Sequence, residues 1–301
     1  MRVVYGNHPY NWPKNQPKCI RKEDVGYFTY PDYQLETCDL NSLYISTDKL
    51  TLGYYELAPG ARFDPPDHHP GDECYYVVEG ELTEVNPISG QAVKIVEGEV
   101  LIIPFRAAHG GHNFGAKRMK AVFALAPNIV VGQNFPTDLA GKRRILKGVD
   151  EPNYQIYPDL CESPTFGTIN HLGRWPVDGA TLRKEPRYLR VIDEKAKLSV
   201  INGAENPYLM KFAVSNDFIH FGEMILPAGG KGCRISEVES HKGETAIFVL
   251  SGTLSFVMDE SRETFKVEKD EVMFIPAEMK YCMMNHWAEQ AHAVFVIAPE
   301  L

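Results

Sequence analysis

Apolar residues along this chain come in short runs of period two rather than in helical stripes. The stretches 52–57, 74–78, 82–85, 93–96, 100–103 and 121–126 are apolar or alternating. Gly, Pro, Asn or Asp separates most of them. Successive side chains of a strand point to opposite faces, so this alternation predicts half-buried strands, and the punctuation predicts turns. Evenly spaced short strands imply a barrel, jelly roll or sandwich. Helical periodicity is weak throughout, with short helices expected near 137–146 and in the N-terminal extensions.

The strand pattern repeats. Leu101-Ile102-Ile103-Pro104 corresponds to Met273-Phe274-Ile275-Pro276 at an offset of 172. The same offset carries His69 onto His241, Gly80 onto Gly252, Asn113 onto Asn285, and Ala121-Val122-Phe123 onto Ala293-Val294-Phe295. Upstream, Asn7-His8-x-x-x-Trp12-Pro13 recurs as Asn170-His171-x-x-x-Trp175-Pro176. Each copy therefore has an extension and a core. The expected domains are 1–150 and 151–301, joined near Gly148-Val149-Asp150-Glu151-Pro152-Asn153. The repeated Asn-His-x-x-x-Trp-Pro is expected to be structural, since it accompanies both copies.

Composition narrows the function classes. The 301 residues carry a net charge of −9, which argues against nucleic acid or an anionic membrane as the main partner. No apolar run has transmembrane length, and residues 1–15 hold no apolar signal-peptide core. Six cysteines lie far apart without a C-x-x-C and read as free thiols in a reducing compartment, so a cytoplasmic location is expected. No Gly-rich phosphate loop or G-x-S-x-G elbow is present.

The chemistry concentrates at Asp67-His68-His69-Pro70-Gly71-Asp72-Glu73, with His109 further on. Strand alternation would put Asp67 and His69 on one face, and Glu73 follows the Pro-Gly turn. Imidazole and carboxylate together suit Mn, Fe, Zn, Ni or Co, and two His with one carboxylate is the facial set of catalytic iron. A lone histidine on a strand is ordinarily a packed or surface residue. Here the joint spacing outweighs that reading.

These residues resemble the two motifs of the cupin superfamily. Gly60, then Asp67-x-His69-x3-Glu73-x6-Gly80, is similar to the first motif with Asp in place of its first His. Gly98-x5-Pro104-x-Arg106-x2-His109-x3-Asn113 is similar to the second, with Arg in place of the middle Gly. The resemblance implies an all-β protein of two double-stranded β-helix (jelly-roll) barrels, a bicupin. It also implies one divalent transition metal in the N-terminal barrel, held by His69, Glu73, His109 and Asp67. The fourth ligand is left as Asp67, His68 or solvent. In the second copy the same frame reads Glu239, His241, Thr245 and Tyr281. A Thr hydroxyl and a Tyr phenol are poor ligands for a divalent ion at neutral pH, so that site is expected to be degenerate.

Around the metal, Asp67 is expected as fourth ligand or general base. Tyr75 shares a face with Glu73 and is expected as packing or as a hydrogen-bond donor to substrate. Arg106 is expected as a solvated turn residue or as a carboxylate or phosphate clamp. The expected function is a metal-dependent enzyme acting on a small-molecule substrate, a sugar, hydroxy acid or keto acid, by isomerase, epimerase or lyase chemistry. One alternative is an Fe(II) dioxygenase of a small aromatic or diol. The other is a non-catalytic metal- and ligand-binding bicupin. A homo-oligomer is compatible with all three.

Overall fold

The computed structural model describes residues 15–28, 39–63, 66, 68–127, 187–229 and 234–301. The connector, the repeated Asn-His-x-x-x-Trp-Pro, the expected helix at 137–146 and Asp67 lie outside the described residues. Among the described residues the chain is strands and turns, with one 3-10 turn at Lys22–Asp24. No helix among them is long and apolar enough to cross a membrane.

The chain forms two jelly-roll units, each of two sheets. In the first, a seven-stranded sheet runs in the order Arg190–Ile192, Val100–Ile103, Asp72–Glu79, Met119–Ala126, Thr51–Leu57, Asp39–Ser46, Gly26–Phe28. Its second sheet has three strands, Gln91–Val96, Glu81–Asn86 and Gly110–His112. In the second unit the seven strands are Lys18–Ile20, Val272–Ile275, Glu244–Ser251, Ala291–Ala298, His220–Leu226, Tyr208–Ser215 and Leu198–Asn202. Four more pair as Arg234–Ile235, Tyr281–Asn285, Thr253–Met258 and Thr264–Glu268. Every strand pairing is antiparallel, and the expected strands of the first core all form, extended by one or two residues at some ends.

Alternation sorts the side chains as the sequence pattern requires. Tyr75, Val77, Leu101, Ile103, Ala121, Phe123 and Leu125 face the first interior. Their partners at the offset of 172, from Ile247 and Val249 to Phe295 and Ile297, face the second. Burying one such large side chain contributes about 1.5–3 kcal/mol. Phe123 and Phe295 each lie opposite a glycine in the next strand, Gly53 and Gly222. A Cβ on Gly53 would stand 2.3 Å from the Phe123 ring, and one on Gly222 would stand 2.1 Å from the Lys211 carbonyl oxygen. Glycine is required at both because ring and backbone occupy the space a side chain would take.

Two features depart from a simple duplication. Upstream of the metal-motif loop the strands correspond at an offset of 169: Asp39–Ser46 matches Tyr208–Ser215, and Thr51–Leu57 matches His220–Leu226. The second copy thus carries three more residues before its motif. In addition, the units are not contiguous stretches. Lys18–Ile20 pairs with Val272–Ile275, and Arg190–Ile192 pairs with Val100–Ile103. Each copy's extension completes the other copy's sheet.

Candidate metal centre

Glu73 is placed by strand alternation. It sits on Asp72–Glu79 between Ile103 and Leu125, on the same inward face as Tyr75 and Val77. His109 arrives just before Gly110–His112. His69 comes differently from expectation. Residues 68–71 form no strand, so the alternation that would pair Asp67 with His69 does not operate there. His69 is carried by an irregular loop that is tied down instead. Its carbonyl accepts the Arg106 N–H at 2.7 Å, and Asp72 accepts the Phe105 N–H at 2.8 Å. The opposite turn therefore holds the loop through backbone groups. The equivalent bond, Glu278 N–H to the His241 carbonyl at 2.6 Å, recurs in the second unit.

The three side chains converge. The Glu73 Oε2 lies 3.3 Å from the His69 Nε2 and 3.2 Å from the His109 Nε2. The three donor atoms fall within 4.8 Å of one another. Side-chain exposure is 13% for His69 but 4% and 2% for Glu73 and His109, so solvent reaches the cluster on the His69 side. The Phe63 ring lies parallel to the His109 ring, centroids 6.4 Å apart, as a wall.

Charge in this interior is set by the partners. Burial alone would push the Glu73 carboxyl up, but His69 and His109 override it and hold it well below the usual carboxylate range. Burial pushes His109 down, yet the close contact and charge of Glu73 and the charge of Glu84 raise it above the usual imidazole range. The pair therefore draws a positive charge into the site. A divalent cation answers the same demand. The donors fit one: the buried Glu73 Oε2 faces both imidazoles without a well-formed hydrogen bond. His109 also meets the Ala107 carbonyl through Nδ1 at 3.1 Å, which leaves Nε2 as the metal-facing nitrogen. A cation held there would supply Lewis acidity to a bound oxygen ligand.

Tyr75 is brought to the site. It is buried, its hydroxyl interacts with Glu73, and its ring packs on Tyr55 and Phe123 with centroids 5.8 and 6.2 Å away. Burial, then the charges of Glu73 and Glu84, raise its phenol well above the ordinary range, so it stays a donor. Arg106 is exposed in the turn, with φ of 57° and its guanidinium 5.0 Å from the Phe105 ring centroid. His112 stacks on the exposed Phe114. Asn113 is structural: its side-chain amide donates to the Leu57 and Lys117 carbonyls, as Asn285 does to Pro227 and Glu289.

Glu84 was not singled out by sequence reasoning. It is buried, one of its oxygens has no partner, and burial pushes its carboxyl up to about 8. The one available signal was alternation, since it shares an inward face with Leu82.

In the second unit Thr245 occupies the place of Glu73, between Ile275 and Ile297. Glu239, His241 and Tyr281 cluster there, and Tyr208, missed because it lies outside both motifs, donates its hydroxyl to the Glu239 Oε1 at 2.8 Å.

Residues 53–125 and 222–297 both match the sequence profile of the cupin domain. Among solved structures, the chain is similar to AerE from Microcystis aeruginosa, with TM-score 0.55, 12% identity, 94% of this chain and 96% of that one covered. It is also similar to a variant of Bacillus subtilis oxalate decarboxylase OxdC, with TM-score 0.56, 13% identity, and 91% and 77% covered. A third is the protein Ylba from E. coli, with TM-score 0.53, 12% identity, and 91% and 90% covered. No curated protein matches the sequence. Two jelly-roll units, the first with a largely buried His-Glu-His cluster that could hold a metal ion, define a duplicated β-barrel protein. The chain belongs to the cupin superfamily, as a two-barrel bicupin.

Proposed function

We propose that the first unit is a metal-dependent enzyme acting on a small oxygenated substrate, a hydroxy acid, keto acid or sugar, by lyase or isomerase chemistry. The observation that supports it is the convergence of His69, Glu73 and His109 in an interior open to solvent on one side. Three protein donors leave positions for substrate oxygens. Tyr75 donates a hydrogen bond beside Glu73, and Asp67 serves as fourth ligand or as base. Arg106, at the turn that fixes His69, meets a substrate carboxylate. The likeness to oxalate decarboxylase, a lyase of a small acid, supports this class at the level of fold.

The test is elemental analysis of anaerobically purified protein, followed by turnover on a panel of small hydroxy, keto and dicarboxylic acids and sugars. One divalent ion in the first unit is expected. Glu73→Gln and His109→Ala should each weaken it more than about 100-fold, beyond the effect typical of an outer-shell partner. Metal retained at full strength in both variants would overturn the proposal. Turnover that never depends on metal would overturn it equally. The two-His, one-carboxylate set also favours a second reading, an Fe(II) dioxygenase. Oxygen uptake with iron, absent with Mn or Zn, would select that reading instead.

A further inference from the structure

The second unit retains a donor triangle of nearly the same size as the first, built from different frame positions. Tyr281 stands where His109 stands, and its hydroxyl oxygen lies 3.3 Å from the His241 Nε2. The carboxylate no longer comes from the Glu73 position, now Thr245, but from Glu239, the frame partner of Asp67. The Glu239 Oε2 lies 3.5 Å from the Tyr281 hydroxyl and 3.9 Å from the His241 Nε2. In the first unit the corresponding sides are 3.3 Å, 3.2 Å and under 4.8 Å. Donors bonded to one first-row ion at about 2.1 Å stand roughly 3.0–3.4 Å apart. All three residues are largely buried, His241 and Tyr281 within the core.

We propose that Glu239, His241 and Tyr281 form a second metal site of different chemistry, one that takes ferric iron through carboxylate, imidazole and phenolate. Phenol is a poor ligand until it loses its proton, which a divalent ion does not bring about readily at neutral pH. Phenolate and carboxylate are hard oxygen donors, and a small trivalent cation is the ion they suit. Tyr208 positions the carboxylate. Its hydroxyl donates to Oε1 and itself accepts from the Asn202 amide at 2.8 Å, which leaves Oε2 turned to Tyr281 and His241.

A hydrogen-bonded plug explains the cluster less completely. The Tyr281 hydroxyl stands 3.3 Å from the His241 Nε2 and 3.5 Å from the Glu239 Oε2, both beyond the roughly 2.5–3.2 Å of well-formed hydrogen bonds. A network kept for packing alone would close those two contacts. Binding transfers no electrons. The phenolic proton of Tyr281 leaves to solvent as the iron–oxygen bond forms. The site stands independently of the function proposed for the first unit.

The test uses the full chain, stripped with chelator and loaded with ferric nitrilotriacetate. A phenolate-to-iron charge-transfer band should colour the protein, with tyrosinate modes in its resonance Raman spectrum. Tyr281→Phe should lose the band entirely. His109→Ala, which disables the first cluster, should keep it. Protein that stays colourless at ferric saturation overturns the proposal. So does a band that survives in Tyr281→Phe, including one that disappears in His109→Ala, which would place the phenolate at Tyr75. If Tyr281→Phe fails to fold, Tyr281→His keeps a ligand at the position and should bind iron without colour. A coloured Tyr281→His protein overturns the proposal as well.

Discussion

Two buried carboxyls in the first interior behave oppositely because their neighbours differ. Glu73 lies against two imidazoles and stays ionised, whereas Glu84 has no cationic side chain within hydrogen-bond reach and is pushed up to about 8. In the metal-stripped protein Glu84 therefore keeps a proton that the unfolded chain gives up near 4.5. A carboxyl raised on folding stabilises fully below its unfolded value, and that contribution is lost as pH climbs through the folded one. Stability tied to Glu84 should fall between about pH 4.5 and about pH 8. Glu84→Gln removes this titration while keeping the shape. Unfolding free energies from urea titrations at about pH 5 and about pH 8 should converge in the variant by an amount on the order of a few kcal/mol relative to the parent. Parallel pH profiles would refute it. His69, Glu73 and His109 were legible in the sequence because spacing and turn residues mark them jointly. Glu84 and Tyr208 were not, since one inward polar residue on a strand looks like ordinary alternation.

At the scale of elements, strand existence was legible and strand partnership was not. Runs such as 100–103 carry their own period, and the structure returns Val100–Ile103 unchanged. The exchange of the extensions is invisible to any local pattern. Lys18–Ile20 meets a strand more than two hundred residues away, and nothing in three residues names that partner. The shift from 169 to 172 was hidden for a related reason. Tight pairing holds the offset within the motif-bearing core, while the loop before the motif absorbs three residues without disturbing a ladder. The exchange has an energetic consequence. Ile20 is fully buried and pairs with Val272 in the second unit. Ile20→Ala should cost about 2–5 kcal/mol. Amide exchange should quicken in Val272–Ile275 and Glu244–Ser251, far along the sequence, and stay slow in Val100–Ile103. If the first unit loses protection instead, the exchanged pairing is wrong.

At the scale of the molecule, one duplicated sequence has produced two interiors of unlike chemistry. The apolar frame is shared position by position, from Tyr75 and Ile247 to Leu125 and Ile297. The frame tolerates such divergence because the polar cluster adds little to the core. Three of the four metal-frame positions change, and His69 persists as His241, while the strands around them keep their register. Divalent metal should therefore act on one unit. A ligand that binds only the folded state stabilises by about 2.7 kcal/mol at a hundredfold excess over its dissociation constant. That corresponds to roughly a 100-fold slowing of amide exchange through any opening that breaks the site. Adding manganese to chelator-stripped protein should slow exchange by that order in Asp72–Glu79 and Gly110–His112, which carry or adjoin Glu73 and His109. Glu244–Ser251 and Tyr281–Asn285 should exchange as before, because Thr245 and the protonated Tyr281 phenol leave a divalent ion only Glu239 and His241 as ligands there. Equal slowing in both units would mean either that the second cluster also takes divalent metal or that the units open as one. Repeating the titration on Glu73→Gln separates these outcomes. Residual slowing in Tyr281–Asn285 belongs to a second divalent site, and its disappearance belongs to shared opening.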